Sequence, residues 1–130
     1  MKKNILFISP TGTLDNGAEI SIFHLMKYLV QDGYHVINVI PDYHVQVQQD
    51  YISTLAKEGI RTIALPSVKW WWEDAPGGLP DSPETRARSY QDNTSALRKI
   101  LTERKIDLVI TNTVNMFQGA VAAACEDVPH

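Results

Sequence analysis

Three short runs, each closed by a proline, constrain this chain more than any other feature. They are residues 5–9 (ILFIS), 35–40 (HVINVI) and 60–65 (IRTIAL), followed by Pro10, Pro41 and Pro66. Each is strand-length and rich in β-branched or aromatic side chains. The unbroken apolar character of 5–9 suits a strand covered on both faces, because one-sided burial would give strict alternation. Proline has no amide hydrogen for a neighbouring strand, so each run stops there.

Between the runs the apolar period lengthens. Asn16 is a good N-cap, and Glu19 three residues on makes an approximate capping box. Ile22, Met26, Leu29 and Val30 then recur at helical spacing, with Phe23 and Leu25 widening the stripe, until Asp32-Gly33 ends the helix. Val47, Tyr51 and Leu55 mark a second helix over about 45–57, closed by Gly59. Tyr90, Thr94, Leu97 and Leu101 mark a third, running to about Arg104. Residues 108–111 form a fourth strand, an alanine-rich last helix runs from about 116 to 126, and Val128, Pro129 and His130 read as the approach to a fifth strand. The order is βαβαβαβα without internal repeat, which implies an open parallel sheet with helices on both faces and right-handed crossovers. With a further strand expected where the sequence stops, residues 1–130 read as a single, incomplete domain of a longer protein.

Residues 67–85 (SVKWWWEDAPGGLPDSPET) break the alternation. Their prolines and the Gly77-Gly78 pair exclude a helix or strand through most of the stretch, and loops of this length are often functional.

Bulk properties exclude several classes. A length of 130 residues is that of one ordinary domain with a real core. The net charge of −3 argues against a nucleic-acid partner, and Arg86, Arg88, Arg98, Lys99, Arg104 and Lys105 read as solvated helix faces. A lone Cys125 rules out an intrachain disulfide and clustered Cys/His metal sites, and fits a reducing compartment. His24, His35, His44 and His130 show no metal spacing. The opening MKKNILFIS has too short an apolar run for a signal core, and nothing approaches the roughly 18 apolar residues of a membrane span. The chain is therefore read as cytoplasmic.

In open α/β sheets ligands gather outside the carboxyl ends of the strands. The loop 10–19 lies there. Gly17 at a helix start leaves N–H groups for an anion, and Gly12 permits close backbone approach. The loop lacks the P-loop lysine and the GxGxxG spacing, so an anion site and a plain turn both stand as readings. Trp70, Trp71 and Trp72 cannot all point inward from a regular element. They suit sugar or lipid contact, a hydrophobic plug over the end of the sheet, or an interface with chain beyond these residues. Asn112, between Thr111 and Thr113 at the end of the fourth strand, either meets a ligand or caps the next helix. No Ser/His/Asp set or carboxylate pair can be placed, so the catalytic residues stay unassigned.

The stretch ILFISPTGTLDNGAEISIFHLMKYLVQDGYHVINVIP resembles the opening of GT-B-fold glycosyltransferases of the retaining glycosyltransferase 4 family (group 1 type). Their Gly-Gly-x-Glu loop is matched by Asn16-Gly17-Ala18-Glu19, and their Gly-His/Tyr-x-Val entry to the second strand by Gly33-Tyr34-His35-Val36. KIDLVITNT and GAVAAACEDVPH resemble the family's fourth strand, its helix and the approach to its fifth strand. The resemblance implies two Rossmann-like domains around a cleft, of which this chain is the N-terminal, acceptor-side one. Gly12, Asn16 and Gly17 would then lie near the phosphates of a nucleotide-sugar donor. Trp70, Trp71, Trp72, Asn112 and Thr113 would shape the side that takes a glycan or lipid-linked acceptor. Asn16 stands where the family often has glycine, although asparagine also tolerates a left-handed backbone.

The resemblance further implies a C-terminal nucleotide-sugar-binding domain as partner and no bound metal or other cofactor. It places the parent enzyme in the cytoplasm or peripherally at the inner face of the membrane, in cell-envelope polysaccharide synthesis. Alone, the chain would be inactive, and an exposed sheet edge would favour pairing. The competing reading is a self-contained flavodoxin-like binding or signalling module. It finds little support, because Ser9-Pro10 and Leu65-Pro66 replace receiver acids and only Thr11 and Thr13 hint at a flavin phosphate loop.

Overall fold

A computed structural model of the chain describes residues 2–65, 70, 83–113 and 116–130. Strands and helices alternate as the periodicity predicts. The first half runs β1 (Asn4–Ile8), α1 (Gly17–Gln31), β2 (His35–Pro41), α2 (Gln46–Lys57) and β3 (Arg61–Leu65). The second half runs α3 (Pro83–Glu103), β4 (Leu108–Thr111) and α4 (Gln118–Cys125). All pairings are parallel, in the order β3-β2-β1-β4.

β1 is the spine of this sheet. Its residues alternate between two cores, so a run apolar on both faces is what a central strand requires. Leu6 and Ile8 face one core with Val39, Val109, Leu97, Leu101, Ala122 and Ala123, which brings α3 and α4 to that side. Ile5 and Phe7 face the other with Val36, Ile40, Met26, Tyr51 and Leu55, under α1 and α2. The chain thus winds outward from β1 through β2 to β3, then crosses to β4 on the other side of β1. That reversal opens a crevice between the carboxyl ends of β1 and β4, the position where open α/β sheets bind ligands.

Several boundaries differ from the periodicity. α3 begins at Pro83, ahead of Tyr90 and inside the stretch read as irregular. Proline at the first helical position loses only an amide that would be orphaned anyway, and Glu84 places an acid in the first turn. α4 starts at Gln118 rather than near Met116, with no side-chain cap at Phe117. Val128, Pro129 and His130 run beside β4: the Val109 amide donates to the Pro129 carbonyl at 2.9 Å, and Thr111 Oγ1 lies 2.8 Å from His130 Nε2.

Two glycines show opposite constraints. A Cβ at Gly119 would collide with Ile8 Cδ1 and come within 2.9 Å of Thr111 Oγ1, so α4 sits directly on β1 and β4. A Cβ at Gly17 would meet nothing within 4 Å. Gly119→Ala should therefore destabilise the fold by about 1–3 kcal/mol through overpacking. Gly17→Ala should stay within about 0.5 kcal/mol of the parent, as open surface positions do. Urea unfolding of both variants is the check, and equal losses would contradict this packing.

Candidate functional site

The crevice is built from the point where the chain leaves β1. Ser9 is fully buried, and each of its polar groups is used. Its amide donates to the Val39 carbonyl at 2.9 Å, and its hydroxyl donates to Asn38 Oδ1 at 2.7 Å. Asn38 Nδ2 in turn donates to the Tyr51 hydroxyl at 2.7 Å, and Trp70 Nε1 donates to the Ser9 carbonyl at 3.2 Å. Asn38, the single polar residue in the apolar run of β2, is thus a satisfied core group.

From Ser9 the loop rises to α1. Gly12 is buried with φ +75°, and a Cβ there would stand 2.6 Å from Ile40 Cδ1 and 3.2 Å from Gln48 Nε2. Its glycine character is needed by the turn and by β2, so an internal contact already occupies the approach that was expected for a ligand. Gln48 Nε2 donates to the carbonyls of Thr11 (2.8 Å) and Pro41 (2.7 Å), tying this loop to the one after β2. Thr13 donates to Asp15 Oδ1 at 2.6 Å and lies 3.0 Å from the Thr11 hydroxyl. Asn16 is extended (φ −143°), and its Oδ1 accepts from the Glu19 amide at 3.0 Å, so it acts as the N-cap. Gly17 is exposed at the first position of α1, and among the described residues the Gly17 and Ala18 amides have no partner. These two N–H groups are the real anion-binding capacity of the loop.

Electrostatics limit that capacity. Asp15 stands beside the same helix end, its carboxyl held below the usual range by hydrogen bonds from Thr13 and Asn16. Residues 4–26 contain no lysine or arginine. A phosphate here would have helix dipole and amides in its favour, but no cation from this loop.

Glu19 is the residue that the sequence reading placed incorrectly. Its side chain does not close a capping box. It turns inward, fully buried, with Oε1 3.4 Å from the Thr11 amide and, among the described residues, no hydrogen-bond partner for Oε2. Burial raises its carboxyl to about 7, against the pull of Thr11, and the Asp15 charge adds to the rise. Tyr51, facing the same interior, is pushed up to about 12 by burial and then by the Glu19 charge. A signal existed: Glu19 lies two helical turns before Met26, which is fully buried, and so falls on the inward stripe.

The far wall comes from β4. The Asn112 amide donates to the Ile8 carbonyl at 2.9 Å, and its side-chain Nδ2 donates to the Ala18 carbonyl at 3.2 Å. It therefore ties β4 to the first turn of α1 rather than capping α4. Thr113 is exposed with φ +99°, a strained setting for a β-branched residue. Trp70 corrects the expectation of an acceptor contact. It is 2% exposed within the core, and its carbonyl accepts from Gln118 Nε2 at 2.8 Å. Among the readings for the tryptophans, this burial favours the plug for Trp70. Trp71 and Trp72 lie outside the described residues. Exposed apolar side chains at this edge include Tyr43, Val45 and Val47 after β2 and Phe117 just before α4.

An open, all-parallel, Rossmann-like α/β domain with a polar crevice at its switch point is the class that this architecture defines. No protein-family model matches the chain, and no curated protein sequence does either. Solved structures do match. A glycosyltransferase from Rickettsia africae ESF-5 superposes with a TM-score of 0.64 at 18% identity, over 96% of this chain and 27% of its own. UGT2 of Phytolacca americana, solved with UDP-2-fluoroglucose and pterostilbene, gives 0.63 at 18%, over 99% of this chain and 30% of its own. A deacetylase of teicoplanin biosynthesis gives 0.65 at 14%, over 97% and 64%. The fold is that of a Rossmann-like GT-B domain, and the chain spans about a quarter to a third of the two glycosyltransferases. Among the described residues no group of three or more His, Cys, Asp or Glu is placed to hold a metal, and no helix is long and apolar enough to cross a membrane.

The Glu19 carboxyl gives a pH test. Its raised value makes the folded state hold the proton more tightly than the unfolded chain. The associated stability is fully present below pH 4.5 and is lost as pH rises through about 7. The full swing is on the order of 3 kcal/mol. Glu19→Gln should remove most of it, so variant and parent should differ in stability far more at pH 8 than at pH 5. Parallel denaturation curves at the two pH values measure this, and a pH-independent difference would show that Glu19 is not titrating in this range.

Proposed function

We propose that this chain is the acceptor-side domain of a glycosyltransferase of the glycosyltransferase 4 kind, working with a second, nucleotide-sugar-binding domain. The observation that carries the reading is the extent of the match: almost all of this chain superposes on a single portion of two much longer glycosyltransferases. Fold alone does not choose a chemistry, as the deacetylase neighbour illustrates. The crevice adds the physical case. Two unpartnered amides at the start of α1, from Gly17 and Ala18, face outward at the switch point, where they can donate to a diphosphate.

The partner domain then has a defined task. With Asp15 beside the helix end and no cation in residues 4–26, this loop does not itself neutralise the charge of a nucleotide-sugar, and that task falls in this reading to the partner domain. No metal or other cofactor is required of this half. Acceptor recognition falls to the rim: Tyr43, Val45 and Val47 offer apolar surface, while Thr113 and Asn112 offer polar groups. That mixture suits a glycan or lipid-linked acceptor, and with it a cytoplasmic enzyme that works at the inner face of the membrane.

Gly17→Pro tests the role of the loop. Position 17 opens α1, and Asn16 before it is already extended, so proline fits while deleting one of the two amides. In the parent enzyme carrying both domains, this variant should keep its melting temperature but lose about ten- to a hundredfold in kcat/KM, as for a hydrogen bond to a charged group. Inactivity of the well-folded two-domain protein across a broad panel of nucleotide-sugars and acceptors would sink the reading itself.

A further inference from the structure

The amino edge of the sheet, opposite the crevice, carries a second concavity. A groove of about 580 Å³ is lined there by Asn4, Tyr34, His35, Ile37, Arg61, Arg104 and their neighbours, with no Asp or Glu among them. That volume is in the range of small-molecule sites. In a chain whose net charge is −3, a lining with two arginines and no acid runs against the overall balance.

The two arginines come from separate elements. Arg61 opens β3, paired in register with Ile37, and by strand alternation shares a face with Ile63 and Leu65. Those two pack against the core under α3, and Arg104 lies just past the end of α3. Asn4 Nδ2 donates to the carbonyls of Arg104 (3.2 Å) and Lys105 (3.1 Å), which fixes the backbone carrying Arg104. Among the described residues neither guanidinium has a hydrogen bond or ion pair, whereas Arg98 and Lys99 are paired with Glu126 and Glu103. Nor are these cations consumed as helix caps. The last carbonyls of α1 accept from the amides of Asp32, Gly33 and Tyr34, those of α2 from Glu58, Gly59 and Ile60, and those of α3 from Arg104, Lys105 and Ile106.

We propose that this groove binds a phosphate-bearing small molecule, held by the forked donors of Arg61 and Arg104. A planar guanidinium matches phosphate oxygens two at a time, and a groove lined by two such forks and no acid suits a diphosphate better than a single carboxylate. The site is separate from the crevice and does not rest on the glycosyltransferase reading.

Calorimetric titration of the chain with inorganic pyrophosphate at low salt is the test, with amide NMR shifts to locate binding. Saturable binding with Kd of about 0.1 to 1 mM is expected, with shifts centred on Asn4, His35, Arg61 and Arg104. Arg61→Gln and Arg104→Gln should each weaken it about tenfold, and added salt should weaken it further. Both side chains reach solvent, and circular dichroism of the variants confirms the fold. A parallel arm uses vesicles of phosphatidylglycerol in phosphatidylcholine. Binding to the vesicles without binding of pyrophosphate would reassign the groove to a membrane surface and overturn the proposal. Unchanged affinity in the double variant would overturn it equally, as would no binding up to about 10 mM.

Discussion

The carboxyl edge of this sheet hangs on Ser9. One residue past β1, it bonds to Val39, Asn38 and Trp70 at once. Through Asn38 the network reaches Tyr51 on α2, and through the Trp70 carbonyl it reaches Gln118 on α4. The two branches therefore cross the sheet and join the helices on its opposite faces. Each buried bond is worth only about 1 kcal/mol net, but breaking one strands a desolvated partner at a cost of about 1–3 kcal/mol. The exit of β1 takes its position from this chain of bonds, while Gln48 holds the loop after β2 and Asn112 the end of β4.

Much of this was legible in the sequence because it rests on local signals. Proline-stopped runs, a 3.6 period and end glycines gave four strands, four helices and a parallel sheet. What escaped was decided by tertiary contacts. Pro83 looked like a breaker, yet at a first helical position it begins α3. Glu19 looked like a cap until its position on the inward stripe took it into the core. Trp70 could be read from the sequence as a ligand contact or as a plug, and only the bond from its indole nitrogen to the Ser9 carbonyl favours the second. Of the expected site residues, the structure brings Asn16, Gly17 and Asn112 together around the first turn of α1, whereas Gly12 is spent on packing.

Helix dipoles account for only some of the charges, because Asp32, Glu58, Glu103 and Glu126 are acids at helix C-terminal ends. Asp15 and Glu19 stand at the start of α1, where the dipole favours acids, and Arg104 stands past the end of α3, where it favours cations. The arrangement suits the helices better than it suits an anion in the crevice.

The packing of Gly12 has a consequence for anyone who would re-engineer this loop. Ile40 and Gln48 fill the space in which a side chain at position 12 would stand, and Gln48 also holds the carbonyl of Thr11. Positions 12, 40 and 48 therefore pack as one unit although they lie far apart in the chain. A library randomised over residues 10–16 alone would sample mostly loops that β2 cannot accommodate. One that varies positions 40 and 48 with the loop, while keeping the glycine that the φ of +75° at position 12 requires, would explore new crevice shapes on an intact frame.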